Sequence, residues 1–262
     1  MAKIGRRDLL ALSATAALST IGSKAFGQTT VAPHRGPQPS DVNRKFFPDG
    51  RVRPFAGNTI ICPVPQQGGG YDAFNALIDI SRDLPARSFN RKISLLPTST
   101  YHMTMFSGAD DQDKDKGSWP RDLRRDASIA ECNDFIGKRL AEFKAETDLP
   151  IRMVVYPAAK PELIYIRLVP ETAKENAKLR RLRDRLSDHL KIKTADHDTY
   201  RFHISIAYQI DWLSDAEITD FEAAFAQWHR DLTSKAHVFE FGAPEYSTFE
   251  DMYSYRKLFS LS

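Results

Sequence analysis

Short segments of alternating or continuous apolar residues recur along the chain, each bounded by proline, glycine or a polar run. This pattern is typical of β-strands, because side chains along a strand point alternately to its two faces. The predicted strands cover residues 58–64, 92–96, 100–106, 151–157, 162–170, 201–208 and 236–242.

Four other segments contain apolar residues at helical spacing and predict helices at residues 71–84, 128–146, 171–190 and 214–232. The second and fourth helices begin with capping-box patterns, Ser128 with Glu131 and Ser214 with Glu217. Each predicted helix is separated from the next by one or more predicted strands. We therefore expect an α+β domain of two similar halves, each a mainly antiparallel sheet with helices on one side.

The first 27 residues have a different pattern: a basic start, a short apolar stretch and small residues at the end. This order indicates an export signal, and the pair Arg6 and Arg7 resembles a twin-arginine leader. The apolar stretch is shorter than the ~20 residues that span a bilayer, so we expect cleavage rather than anchoring. The mature protein would then be periplasmic or secreted, with no membrane contact.

Residues 28–54 are rich in proline, arginine and polar side chains and predict an extended arm or linker. The remaining residues, 55–262, would form the two-lobed domain. The predicted leader carries the whole net charge of +3, which leaves the rest of the chain near neutral. A neutral domain favours a small or short substrate over long nucleic acid, whose binding usually needs a basic face. We expect a monomer.

Two cysteines, Cys62 and Cys132, leave two alternatives open. An oxidising compartment would permit one disulfide between them, and two buried thiols are the other outcome. Neither cysteine has the paired spacing of a zinc site.

A repeated pattern stands out in two of the predicted strands, "TYHMTMF" from residue 100 and "RFHISIA" from residue 201. Alternation puts His102 and Thr104 on one face of the first strand, and Tyr101 with the two methionines on the other.

The second strand has the same arrangement, with His203 and Ser205 opposite an apolar face. With seven histidines in 262 residues, one such motif is compatible with a half-buried structural histidine. Two motifs in matched settings favour a function.

These two motifs, 101 residues apart, resemble the paired H-x-[ST]-x motifs of the LigT-like, two-histidine (2H) phosphoesterase superfamily. That superfamily includes cyclic nucleotide phosphodiesterases and the RNA 2′,5′ ligases. The resemblance covers about residue 55 onward and is strongest to a branch described only as a domain of unknown function. It implies a bilobal, pseudo-symmetric α+β fold with one motif on a central strand of each lobe, facing a central cleft.

In that family His102, Thr104, His203 and Ser205 would occupy the catalytic positions. Histidine suits both a general acid and a general base because its pKa lies near neutrality. The hydroxyls would donate hydrogen bonds to phosphoryl oxygens. We therefore expect a phosphoesterase that needs no metal or cofactor and hydrolyses a cyclic phosphodiester, such as a 2′,3′-cyclic nucleotide. The residue types do not say which histidine is the base.

Further candidates are less specific. Tyr101, Trp119, Tyr200 and Tyr208 could stack on a base, although aromatic residues in strands usually belong to the core. Arg167 could bind phosphate or face solvent.

Two other functions also remain open. The protein could be an exported module that binds a nucleotide or phosphoester without turnover. It could also hydrolyse non-nucleotide cyclic phosphates or lipid head groups.

Overall fold

The computed structural model describes residues 36–156 and 164–261. The predicted leader and the first residues of the predicted arm lie outside this part of the chain. Within the described residues, the strands are β1 Gly57–Pro63, β2 Ile93–Leu95, β3 His102–Asp110, β4 Ile151–Val155, β5 Tyr165–Pro170, β6 His203–Ser205, β7 Ala207–Gln209, β8 Phe239–Phe241, β9 Glu245–Asp251 and β10 Ser254–Ser260. The helices are α1 Tyr71–Asp83, α2 Ile129–Glu142, α3 Ala173–Leu190 and α4 Asp215–Lys235.

The strands form an eight-stranded antiparallel sheet in the order β10-β9-β1-β3-β6-β5-β4-β8, and a two-stranded sheet of β2 and β7. The α+β class expected from the sequence is confirmed. The two halves meet within one sheet, where Met103 of β3 pairs with Ile204 of β6. The two histidine motifs therefore lie on neighbouring central strands.

Helices α2 and α3 pack against β3, and α1 packs against α4. The capping boxes predicted from the sequence are present. The Ser128 hydroxyl accepts from the Glu131 backbone N–H, and Ser214 does the same for Glu217. Such caps satisfy N–H groups that have no partner inside the helix and typically stabilise it by about 1 kcal/mol.

The alternation along β3 and β6 separates a core face from an open face. Met103, Met105, Ile204 and Ile206 are at most 1% exposed. Burying each of these side chains contributes roughly 1.5 to 3 kcal/mol, which fixes the face that each strand turns inward.

The predicted strand at residues 201–208 is split in two at Ile206. The backbone N–H groups of Ile206 and Ala207 both donate to the carbonyl of Ile164, at 3.0 and 3.2 Å. This irregularity ends β6 and turns the chain away, so that β7 pairs with β2 instead of continuing the large sheet.

The described part of the predicted arm or linker, residues 36–54, packs on the domain. Isolated bridges join Val42 to Phe46 and Phe46 to Val52. The Phe46 side chain is completely buried, with its ring centroid 4.9 Å from that of Tyr208. The apolar surface of this aromatic side chain holds the segment in place.

The C-terminal hairpin of β9 and β10 was not predicted from the sequence, and it pairs with β1 through β9. Cys62 and Cys132 are buried free thiols. None of the helices in the described ranges is long and apolar enough to cross a membrane.

Candidate active site

The register of β3 and β6 places the two motifs around one point. Because Met103 pairs with Ile204, His102 lies opposite Ser205 and Thr104 lies opposite His203. Directly opposed residues of an antiparallel pair share a face, with Cβ atoms about 5 Å apart. The two imidazoles and two hydroxyls therefore occupy the corners of a four-residue cluster, related by the local two-fold symmetry of the strand pair.

Both histidine rings are oriented by the same kind of hydrogen bond. Nδ1 of His102 donates to the carbonyl of Thr100 at 2.6 Å, and Nδ1 of His203 donates to the carbonyl of Arg201 at 2.8 Å. Since a carbonyl oxygen can only accept, each neutral ring carries its proton on Nδ1. Nε2 of each ring is then left as a proton acceptor.

Aromatic side chains hold the two imidazoles in place. The ring of Tyr255, from β10, meets His102 edge-on with centroids 4.6 Å apart. The ring centroids of Tyr165 and Tyr200 lie 4.9 and 6.3 Å from that of His203. The cleft that the histidines share has a volume of about 520 Å³, which is large enough for a nucleotide-sized ligand.

The cleft lowers the pKa of both histidines. Burial lowers the pKa of His102 to about 4, the charge of His203 adds to the effect, and the Thr100 carbonyl opposes it. The pKa of His203 is lowered by burial and by Lys45, against the carbonyl of Arg201. Both imidazoles are therefore neutral in the ligand-free protein at pH 7. A bound anion would favour the protonated form of a neighbouring histidine.

A buried tyrosine supports the first hydroxyl of the cluster. The Tyr200 side chain hydrogen-bonds to Thr104 and Ser107, and burial raises its pKa, so the phenol stays neutral. Arg183 lies 4.0 Å over the Tyr200 ring and donates to the Met105 carbonyl at 2.6 Å. Arg183 therefore holds the Tyr200 ring in place beside Thr104.

The structure brings six of the sequence-derived candidates to the cleft and leaves three outside it. His102, Thr104, Tyr200, His203, Ser205 and Tyr208 line the cleft. Tyr101 was predicted to bind substrate, but this residue, which directly precedes β3, is 2% exposed and belongs to the core. Trp119 is equally buried.

Arg167, the third candidate outside the cleft, lies opposite His203 on β5 and is not among the residues that line the cleft. Its guanidinium stacks on the Tyr156 ring, 3.8 Å from the ring centroid. The structure therefore places this arginine beside the cleft, engaged with an aromatic side chain.

Sequence reasoning missed several residues of the cleft wall. Lys45 and Arg44 come from the segment predicted to be a linker, and Tyr255 comes from the unpredicted hairpin. Arg44 forms ion pairs with Asp41 and Asp113, which tie the N-terminal segment to the acidic loop after β3. The aromatic spacing of the C-terminal residues is the signal that could have indicated the hairpin.

The fold and the two motifs are similar to those of two-histidine phosphoesterases. The family model described as 2H-phosphodiest, Domain of unknown function (DUF1868), matches residues 45–164, which include His102 and Thr104. Over these residues the chain is similar to the 2H phosphoesterase family. His203 and Ser205 lie beyond the matched residues and take their place from the register of β3 and β6.

Among the solved structures similar to the chain is that of the conserved protein of unknown function ATU0111 from Agrobacterium tumefaciens. The TM-score is 0.80 at 23% identity, over 87% of this chain and 95% of that chain. At this identity the similarity establishes the fold alone. No curated protein shows significant sequence similarity to the chain.

Proposed function

We propose that the protein hydrolyses a cyclic phosphodiester, such as a 2′,3′-cyclic nucleotide, by acid–base catalysis between His102 and His203. The observation that carries the proposal is the four-residue cluster, in which each imidazole faces a hydroxyl across the β3–β6 pair. The family match supports the broader class, a hydrolase acting on phosphodiesters.

The proposed reaction uses one histidine to remove a proton and the other to supply one. A neutral imidazole takes a proton from water through Nε2 as the water oxygen forms a bond to phosphorus. The bond from phosphorus to the 2′ or 3′ oxygen breaks, and the protonated imidazole gives its proton to that oxygen. One water is consumed, the ring opens to a phosphomonoester, and the two histidines exchange protonation states before the next cycle.

Thr104 and Ser205 would stabilise the charge that grows on the non-bridging oxygens. Each hydroxyl can donate one hydrogen bond, and both lie on the same face as the imidazoles. These four groups supply both proton transfers and the oxyanion contacts, so the proposed reaction requires no metal.

A second candidate is a module that binds a phosphoester without turning it over. The lowered pKa values favour this alternative, because a reaction at pH 7 needs one protonated histidine and both are neutral in the free protein. For the enzyme to operate, the bound phosphoryl anion must raise the pKa of one imidazole. Export to the periplasm or beyond stays a proposal that rests on residues 1–27.

Hydrolysis of 2′,3′-cyclic, 3′,5′-cyclic and non-nucleotide cyclic phosphates in excess chelator separates these candidates. We expect turnover by the native protein and none by His102→Ala or His203→Ala, with binding of the product phosphomonoester largely retained. His189→Ala is a matched control, since His189 is half-buried outside the cleft and also bonds a backbone carbonyl. Binding without turnover in the native protein would support the binding module, and turnover abolished by the chelator would contradict the mechanism.

A further inference from the structure

A tight turn carries a lysine to the cleft from the segment that precedes β1. The backbone N–H groups of Lys45 and Phe46 both donate to the Asp41 carbonyl, at 2.8 and 3.1 Å. The Lys45 carbonyl in turn accepts from the Arg53 N–H at 2.8 Å. Because the neighbouring Phe46 side chain is completely buried, the turn is anchored and the lysine has a defined position.

The Lys45 ammonium lies within the cleft wall. The side chain is 17% exposed, and Nζ lies 3.4 Å from the Tyr208 hydroxyl and 4.8 Å from the centroid of that ring. It lines the same cleft as His102 and His203. A lysine is rarely this buried unless something compensates its charge.

The carboxylate that compensates Lys45 is shared. Asp41 lies 3.2 Å from the Lys45 ammonium and 3.0 Å from the Arg44 guanidinium. Arg44 has Asp113 as a second partner, whereas Asp41 is the carboxylate paired with Lys45 among the described residues. An anion in the cleft would complete the neutralisation of this ammonium.

Two electrostatic effects agree with this position. Burial would lower the pKa of Lys45, but Tyr208 and Asp41 outweigh it and raise the pKa, so the side chain is charged at neutral pH. The charge of Lys45 lowers the pKa of His203. Both side chains line the same cleft.

We propose that Lys45 binds the phosphoryl group of the substrate, as a cationic contact beside the hydroxyls of Thr104 and Ser205. This inference rests on the proposed function and extends the site to residues that precede the predicted domain boundary. The substrate would be held by one full positive charge in addition to the two hydroxyls. A neutral ester of similar shape would lack this contact.

Three variants test the role of Lys45. Lys45→Met removes the charge and Lys45→Arg keeps it. Lys178→Met is the matched control, because Lys178 is 14% exposed, pairs with Glu175 at 2.7 Å and lies outside the cleft. Cooperative melting shows that each variant is folded, and Lys45→Gln replaces the Met variant if that one does not fold.

For Lys45→Met we expect kcat/KM for 2′,3′-cyclic AMP to fall by about 100-fold, in the range seen when one oxyanion contact is removed. Binding of adenosine 2′-monophosphate, measured by calorimetry, should weaken about 10-fold, as for the loss of a charged hydrogen bond. Lys45→Arg should retain most of the native kcat/KM and most of the native affinity for the monophosphate. Lys178→Met should match the native protein in both measurements.

The pKa of His203, measured by NMR titration, tests whether the Lys45 charge acts at the cleft. The titratable and charged groups around His203 are His102 on β3, Tyr165 and Arg167 on β5, Tyr200 before β6, and Lys45. Removing the cation should raise the pKa of His203, because the protonated imidazole then meets less repulsion. An unchanged titration in a folded Lys45→Met protein would overturn the placement of the ammonium.

These measurements distinguish failure of the Lys45 inference from failure of the proposed function. If the native protein is active and Lys45→Met behaves like Lys178→Met, the inference is wrong and the proposed function stands. If the native protein binds the monophosphate without turnover, the enzymatic proposal fails. Weaker binding by Lys45→Met would then still support the phosphoryl contact, and equal binding would overturn it.

Discussion

Met103 of β3 pairs with Ile204 of β6 at the centre of the eight-stranded sheet, and each residue directly follows the histidine of its motif. Both side chains are fully buried, so they fix the register of the pair from the core side. A slip by one residue would turn both histidines into the core. The geometry of the cluster is therefore set by the apolar residues between its polar members.

The two hydroxyls of the cluster should act mainly in the transition state. We expect Thr104→Val and Ser205→Ala each to lower kcat by about 100-fold with a smaller effect on KM, because the charge they meet grows as the reaction proceeds. Steady-state kinetics on 2′,3′-cyclic AMP measures this. Thr248→Val, a half-buried strand threonine outside the cleft, should leave kcat unchanged. A rise in KM alone would show that the hydroxyls only bind the ground state.

Tyr200 should affect the reaction through Thr104. Tyr200→Phe removes the hydroxyl that bonds Thr104 and Ser107, and we expect kcat to fall about 10-fold, the cost of losing one buried hydrogen bond. In a double variant with Thr104→Val, Tyr200→Phe should lower kcat little further than Thr104→Val alone does. Tyr246→Phe is the control, because its buried hydroxyl donates to the Asn133 carbonyl outside the cleft. Fully additive losses would contradict the coupling.

The pH dependence of kcat/KM should have its maximum on the acidic side of pH 6.5. This ratio reports the free protein, in which the base must be deprotonated and the acid protonated, so the maximum lies between the two pKa values. Both are lowered from 6.5, that of His102 to about 4. A stopped assay from pH 3.5 to 9 measures the profile. A maximum above pH 7, with both pKa values of the profile above 6.5, would contradict these shifts.

Much of the fold and the centre of the site follow from local sequence patterns. Alternation predicts the open face of β3 and β6, and the capping boxes at Ser128 and Ser214 predict where two helices begin. The same alternation also assigns Tyr101 to the core face, which shows that proximity in sequence to His102 is a poor guide to the cleft.

The outer wall of the cleft depends on tertiary packing that local sequence patterns do not predict. Lys45 lies in a polar, proline-rich segment whose composition is typical of a linker, and the burial of Phe46 against Tyr208 anchors this segment on the domain. Tyr255 reaches His102 because β9 pairs with β1, which is distant in sequence. Contacts of this kind are set by the tertiary fold.

The most direct test of the central claim is a double-mutant cycle on the two histidines. We would measure kcat/KM for 2′,3′-cyclic AMP with His102→Ala, His203→Ala and the double variant. If the histidines act as one acid–base pair, each single variant should lose about 10³-fold or more, and the double variant should lose no more than the worse single one. Losses that multiply, or a single variant that keeps native activity, would contradict two-histidine catalysis.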